Sequence, residues 1–153
     1  MNQEDKYLIE RIKEYMETCP FFVNLEPFGV DFLSSNLNTS SIEKVPTKKI
    51  IESYVDGSSR RQFTFVLASR FNYSDEIRNN IENSGFFENF ENWIDENNED
   101  RIFPDLGSDK TVEEIELLTD GYLFNVAEGM NTARYQIQLR IIYEQKSKKG
   151  MIL

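Results

Sequence analysis

From Arg134 to Ser147 the chain alternates apolar and polar positions. Tyr135, Ile137, Leu139, Ile141 and Tyr143 fall on one side of the pattern, and Arg134, Gln136, Gln138 and Arg140 on the other. Successive side chains of a strand point to opposite faces, so this pattern predicts a long strand with one buried face. An equally long partner lies upstream, where Phe63, Phe65, Leu67 and Phe71 alternate with Thr64, Val66 and Arg70. Two such strands imply a broad sheet. Its polar face carries Gln, Thr, Arg and Ser, with no catalytic constellation among them.

Elsewhere the periodicity changes. Leu8, Ile9, Ile12, Tyr15 and Met16 share one stripe of a helix predicted over Glu4–Glu17, which Cys19-Pro20 ends. Phe21–Phe32 is apolar but broken by Pro27 and Gly29, predicting a short strand and a turn, and Leu33–Ser41 is a polar loop. Ser41–Val45 and Ile50–Val55 are predicted strands. Asp56-Gly57-Ser58-Ser59 then has turn chemistry, so Ile50–Val55 and Arg60–Phe71 form a hairpin.

Ser74-Asp75-Glu76 is a helix start, with a capping hydroxyl and acids against the positive end of the dipole. Ile77 and Ile81 share a face, Gly85 is expected to break or kink the helix, and Phe86, Phe87, Phe90, Trp93 and Ile94 continue it as a stripe packed on the sheet. Asp95–Asp100 forms an acidic helix end and Phe103–Asp109 a loop. Thr111–Asn125 is a predicted strand bent at Asp120-Gly121, Val126–Asn131 is a loop, and Thr132 opens the final strand. Lys146, Lys148, Lys149 and Gly150 are expected to fray as a basic tail, with Met151-Ile152-Leu153 available to a partner. The order predicts an α+β single domain over residues 1–153. Its antiparallel or mixed sheet, a long central hairpin plus two C-terminal strands, is packed by the N-terminal helix and the long middle helix.

Composition narrows the chemistry. At 153 residues, with 39% hydrophobic and 13% aromatic content, one domain can bury about two-thirds of its unfolded surface. The charged N-terminus has no apolar stretch behind it, and no apolar run reaches the roughly 20 residues that cross a bilayer. A cytoplasmic protein with no membrane partner is therefore expected. The lone Cys19 excludes an internal disulfide and a cysteine metal cage, and it is expected to be a buried core thiol. Histidine is absent, which removes Ser-His-Asp and Cys-His nucleophile systems and histidine zinc sites.

The net charge of −10 divides unevenly: −1 over Met1–Tyr73, −13 over Ser74–Glu128 and +4 over Gly129–Leu153. Affinity for nucleic acid comes largely from Lys and Arg displacing counterions, so the acidic middle argues against a tight DNA- or RNA-binding module. No phosphate-cradling glycine loop occurs, and Asp95–Asp100 lacks the alternation and central glycine of a calcium loop. Pro104-Asp105 with Glu144-Gln145-Lys146 is a loose match to the two carboxylates and lysine of a metal-dependent nuclease. A turn proline and an exposed strand end explain the same residues. No catalytic residue, cofactor or metal site is expected.

Four segments, in this order and spacing, carry a resemblance. They are Tyr54-Val55-Asp56-Gly57-Ser58-Ser59-Arg60-Arg61-Gln62-Phe63-Thr64-Phe65-Val66-Leu67-Ala68-Ser69-Arg70, Asn80-Ile81-Glu82-Asn83-Ser84-Gly85-Phe86-Phe87-Glu88-Asn89-Phe90-Glu91-Asn92-Trp93, Leu118-Thr119-Asp120-Gly121-Tyr122-Leu123-Phe124 and Thr132-Ala133-Arg134-Tyr135-Gln136-Ile137-Gln138. Over Val45–Tyr143 the chain resembles the minor capsid, tail terminator-like proteins of long-tailed phages and prophages of Gram-positive bacteria. The resemblance implies a non-enzymatic virion protein without cofactors, acting in the host cytoplasm during assembly and then in the virion tail or neck. Such proteins cap the tail-tube protein as a hexameric ring, halt polymerisation and present a surface to the head connector. A neck adaptor is the alternative within the same class.

Unlike charges along the chain suit the head-to-tail contacts of such a ring. Asp56, Gly57, Arg60, Arg61, Arg134 and Arg140 are the candidate subunit interface, with the hairpin tip and the loop Asn125–Asn131 projecting toward neighbours. Asp95, Glu96, Glu99 and Asp100 are the candidate acidic lumen or partner surface, past which DNA slides without specific binding.

Overall fold

The chain forms, in order, α1 (Leu8–Met16), β1 (Gly29–Val30), β2 (Thr39–Lys44), β3 (Ile50–Ser53), β4 (Ser59–Asn72), α2 (Ile77–Asp100), β5 (Lys110–Leu117), β6 (Tyr122–Val126) and β7 (Thr132–Gln145). This computed structural model describes residues 6–22, 27–127, 129 and 131–147. The predicted helix start at Glu4, parts of the segments Phe21–Phe32 and Asn125–Asn131, and the tail from Lys148, including Met151-Ile152-Leu153, lie outside the described residues.

β4 and β7, each 14 residues long, pair antiparallel from Ser59↔Gln145 to Asn72↔Thr132 without a register shift. Phe63↔Ile141, Phe65↔Leu139 and Leu67↔Ile137 face the helices, as the alternating pattern predicts. The other strands are arranged around this ladder. β2 and β3 both pair with the far side of β4, and β5 and β6 both pair with the far side of β7. β1 adds in parallel to β2 and makes the seven-stranded sheet mixed. Among the described residues this is an α+β fold with two helices, as expected.

Both helices cover one face. Ile12, Tyr15 and Met16 of α1 and Phe87, Phe90 and Ile94 of α2 join one core with the inward residues of β4 and β7. Burying each of the α2 side chains fully contributes about 1.5–3 kcal/mol. Phe71, Phe86, Phe87 and Tyr135 meet at centroid distances of 5.1–6.4 Å where α2 crosses the ladder. The helices are also tied by hydrogen bonds: Asn97 Nδ2 donates to the Tyr15 hydroxyl (2.7 Å), which donates to the Ile102 carbonyl (2.7 Å).

Several local expectations are corrected. α2 is continuous through Gly85, because three inward aromatic or aliphatic anchors hold the turns beyond it; glycine costs only about 1 kcal/mol against alanine in a helix. The helix begins at Ile77, with no side-chain cap at Glu76. Ser74 Oγ instead accepts the Glu76 N–H at 3.2 Å. α1 begins at Leu8, since Tyr7 has extended backbone. β2 starts at Thr39, inside the predicted loop, because Ser40 and Ser69 satisfy each other across the ladder at 2.8 Å. The hairpin is unequal, with a 4-residue first arm ending at Ser53. Thr111–Asn125 divides into two strands rather than one, giving three C-terminal strands. Leu118–Gly121 is the break, and Leu118 and Thr119 N–H both reach the Gln138 carbonyl.

Gly121 lies against Phe87, so closely that a Cβ there would overlap the ring's first atoms, whereas a Cβ on Gly85 meets nothing. Gly121→Ala should destabilise the protein by about 1–3 kcal/mol through overpacking. Gly85→Ala should stabilise it by about 0.5–1 kcal/mol. Urea unfolding of both variants checks the opposite signs.

Burial also pushes the Tyr15 hydroxyl up to about 12, opposed in part by Asn97, and the Cys19 thiol up to about 11. Each group is held in its neutral form when folded, so its contribution is complete below its ordinary value and is lost as pH rises through the folded one. Stability should be flat up to about pH 9 and fall steadily from there to about pH 12. Thermal unfolding across this range, with Tyr15→Phe removing the upper part of the fall, is the check.

Candidate functional site

The sheet face opposite the helices carries Arg60, Arg134 and Arg140, while Arg61, level with Tyr143, lies on the helix side; the register shows why the first three cannot act alone. Thr64, Arg140 and Glu116 stand side by side on β4, β7 and β5. Arg140 Nε donates to Glu116 Oε2 at 2.6 Å and its Nη1 to Gln62 Oε1 at 3.0 Å. Arg134 on β7 reaches across β4 to Glu43 on β2 through two bonds of 3.0 and 2.8 Å. Its Nε donates to Gln136 Oε1, and its guanidinium sits 5.2 Å from the Phe124 ring. By register this bridge passes over the row Ser41–Ala68–Gln136. Ser41 and Ala68 are fully buried there although they face away from the helices.

Arg60 Nε donates to Glu113 Oε2 at 2.7 Å across β7, and that carboxylate raises the Arg60 pKa. Arg61 donates to Ser59 Oγ at 2.8 Å. Three of the four candidate arginines are thus paired within their own chain. They close the outer face of the sheet, and a neighbour would have to displace a carboxylate to use them.

Asp56 and Gly57 build the hairpin turn. Asp56 Oδ1 accepts the Ser58 N–H (2.9 Å) and hydroxyl (2.6 Å), which lowers its pKa. Gly57 has φ +89°, and a Cβ there would come within 2.6 Å of Ser147 Oγ. Val55 beside them is fully exposed, so the turn presents an apolar tip.

Asp95, Glu96, Glu99 and Asp100 line the outward side of the last turns of α2. All four are exposed, and none forms an ion pair with another described residue. Asn97 and Asn98 between them turn inward. Asn98 donates to the Ile115 carbonyl (2.8 Å) and accepts the Ile115 N–H (2.9 Å), so its amide closes the outer edge of β5 as a strand would.

The opposite end of the ladder holds what the pattern did not single out. Tyr122, Leu123 and Phe124 of β6 and the preceding Leu118 are all exposed, as are Ile77 and Ile81 on the first turns of α2. At the head of β6, the Glu91 carboxyl is pushed above the usual carboxylate range by burial and by contact with the Asp120 carboxyl, while the Gly121 N–H partly offsets this. The apolar run of β6 was visible in the sequence, but which of its residues reach solvent depends on the strand lying at an edge. A groove of about 840 Å³ between Tyr7–Ile9 and the connection Val45–Lys49 carries Lys44, Lys49 and Asp31 at its rim and no nucleophile–base pair.

Asp105 is engaged in its own turn. Its carboxylate accepts the Gly107 N–H at 3.0 Å and lies 3.7 Å from Arg11 Nη1. Glu144 is exposed at the end of β7, opposite Arg60 and Thr111. The Lys146 N–H is bound by the Asp109 carbonyl. Among the described residues no group of three or more His, Cys, Asp or Glu could hold a metal ion, and no helix is long and apolar enough to cross a membrane.

No protein-family model matches this chain, and no curated protein matches it in sequence.

The Arg134–Glu43 bridge is bidentate and half-buried, while the Arg78–Glu82 pair on α2 is exposed. Double-mutant cycles should give a coupling of about 1 kcal/mol or more for the first and under about 0.5 kcal/mol for the second. Equal couplings would mean that the outer face is an ordinary solvated surface.

Proposed function

We propose that this protein is a structural component of virion assembly in a long-tailed phage. In this reading it is a tail terminator, capping the tail-tube protein as a ring of its own copies, halting tail polymerisation and offering a joining surface to the head connector. It works in the bacterial cytoplasm during assembly and stays in the tail or neck of the virion.

One observation carries this reading. Exposed apolar groups stand at both ends of the β4–β7 ladder, Tyr54 and Val55 beyond its Ser59–Gln145 end and Tyr122, Leu123 and Phe124 at the end holding Ala133–Gln136. Unlike surfaces at opposite ends of a rigid subunit favour heterologous contacts, which close into a ring when the rotation per copy divides a full turn. The resemblance over Val45–Tyr143 supplies the setting. The unpaired acids of α2 support a surface that DNA passes without adhering, since like charges repel the phosphate backbone.

Native mass measured over a concentration series, with negative-stain imaging of the large species, tests the proposal. Closed rings of a fixed copy number are expected, sharpened when the tail-tube protein is added. A monomer that ignores the tail-tube protein but binds the head connector would replace the terminator with a neck adaptor. Divalent-metal-dependent DNA cleavage abolished by Asp105→Ala or Glu144→Ala would overturn both.

A further inference from the structure

A sheet that ends in water presents unpaired N–H and C=O groups to any passing strand, and proteins normally cover such edges. Here the two sides of the ladder give four edge segments, and they are treated differently. The edge of β2 is covered by β1 and by Asp31, whose N–H binds the Ile42 carbonyl (2.9 Å) and whose carboxylate accepts the Lys44 N–H (3.1 Å). The edge of β5 is closed by the Asn98 amide and charged by Glu113, Glu114 and Glu116. β3 pairs only with β4 and β6 only with β7, so the outer edges of both are open among the described residues. β6 contains no charge and no proline, the usual devices that blunt an edge.

The two open edges are diagonal. β3 lies beside the Ser59–Arg61 end of β4, and β6 beside the Ala133–Gln136 end of β7. β3 runs antiparallel to β4, β4 to β7 and β6 to β7, so β3 and β6 run in opposite directions. A second copy displaced within the plane of the sheet, helices on the same side, brings its β3 against β6 as an antiparallel pair. Pairing β6 with β3 is heterologous and repeats from copy to copy, whereas β6 against β6 is isologous and closes at a dimer.

We propose that β6 of one copy pairs with β3 of the next, so that the central sheet continues from subunit to subunit. This rests on the self-assembly proposed above and names the surface that performs it. β3 has four residues and β6 five, and each backbone hydrogen bond adds only about 0.5–1.5 kcal/mol. A single contact is therefore weak, and closure into a ring makes the assembly cooperative.

The test uses two full-length variants at exposed positions, Ser53→Cys on β3 and Leu123→Cys on β6. The native Cys19 is buried and stays out of reach of the reagent. One variant is isotope-labelled, the two are mixed with a short bis-maleimide, and mass separates mixed from same-site dimers. Unfolding midpoints confirm that both variants are folded, and native mass of the wild-type protein is recorded alongside. Mixed dimers in clear excess, lost when Phe124→Lys is added to the β6 variant, are expected. Oligomers that give no mixed cross-link would overturn the edge pairing and leave the ring standing, and same-site β6 dimers alone would overturn both. A wild-type protein that stays monomeric with no cross-link would overturn both.

Discussion

The continuous pairing of β4 with β7 is the constraint on which the rest of the structure depends. Fourteen-residue strands without a register shift fix which side chains face the helices over the whole length of the sheet, since a slip of one residue would turn every side chain to the other face. Each of the other main strands attaches to one side of this pair, and each side is used by two shorter strands with an excursion between them: Val45–Lys49 beside β4 and Leu118–Gly121 beside β7. At the second excursion Gly121 lies directly against Phe87 of α2.

The ladder also sets the conditions for the outer face. With both helices on one side, the other side of a wide sheet must meet water without becoming sticky. Long arginines do this by crossing one strand to a carboxylate two strands away, as Arg134 does to Glu43 and Arg60 to Glu113. Their stems shield small buried residues such as Ala68 while their heads stay partly solvated. Three of the four arginines that looked available for a neighbour are therefore already held by carboxylates. The free surfaces lie instead at the ends and open edges of the sheet.

How much of this was legible in the sequence varied with the range of the interaction. The two long strands could be read because their alternation is strict and their length leaves no competing helix. The aromatic stripe of α2 was legible for the same reason at helical spacing. Gly85 misled because local propensity suggested a break, whereas Phe87, Phe90 and Ile94 anchor the helix beyond it. Ser74 has cap chemistry but binds the N–H of Glu76, just outside the helix. The carboxylate partners of Arg60, Arg134 and Arg140 lie 24 to 91 positions away in sequence, and only register brings them together. Openness of an edge is equally non-local: nothing in Tyr122–Val126 itself says that no strand lies beside it, and nothing in Asn98 says that it closes β5.

The proposed joining of copies through the two open edges of the rigid ladder can be followed by hydrogen exchange measured at dilute and at assembling concentrations. β4 and β7 amides should be protected in both states, and new protection should appear at Ile50–Ser53 and Tyr122–Val126 as copies associate. Protection gained at β1 or along the acidic end of α2, with β3 and β6 unchanged, would contradict it.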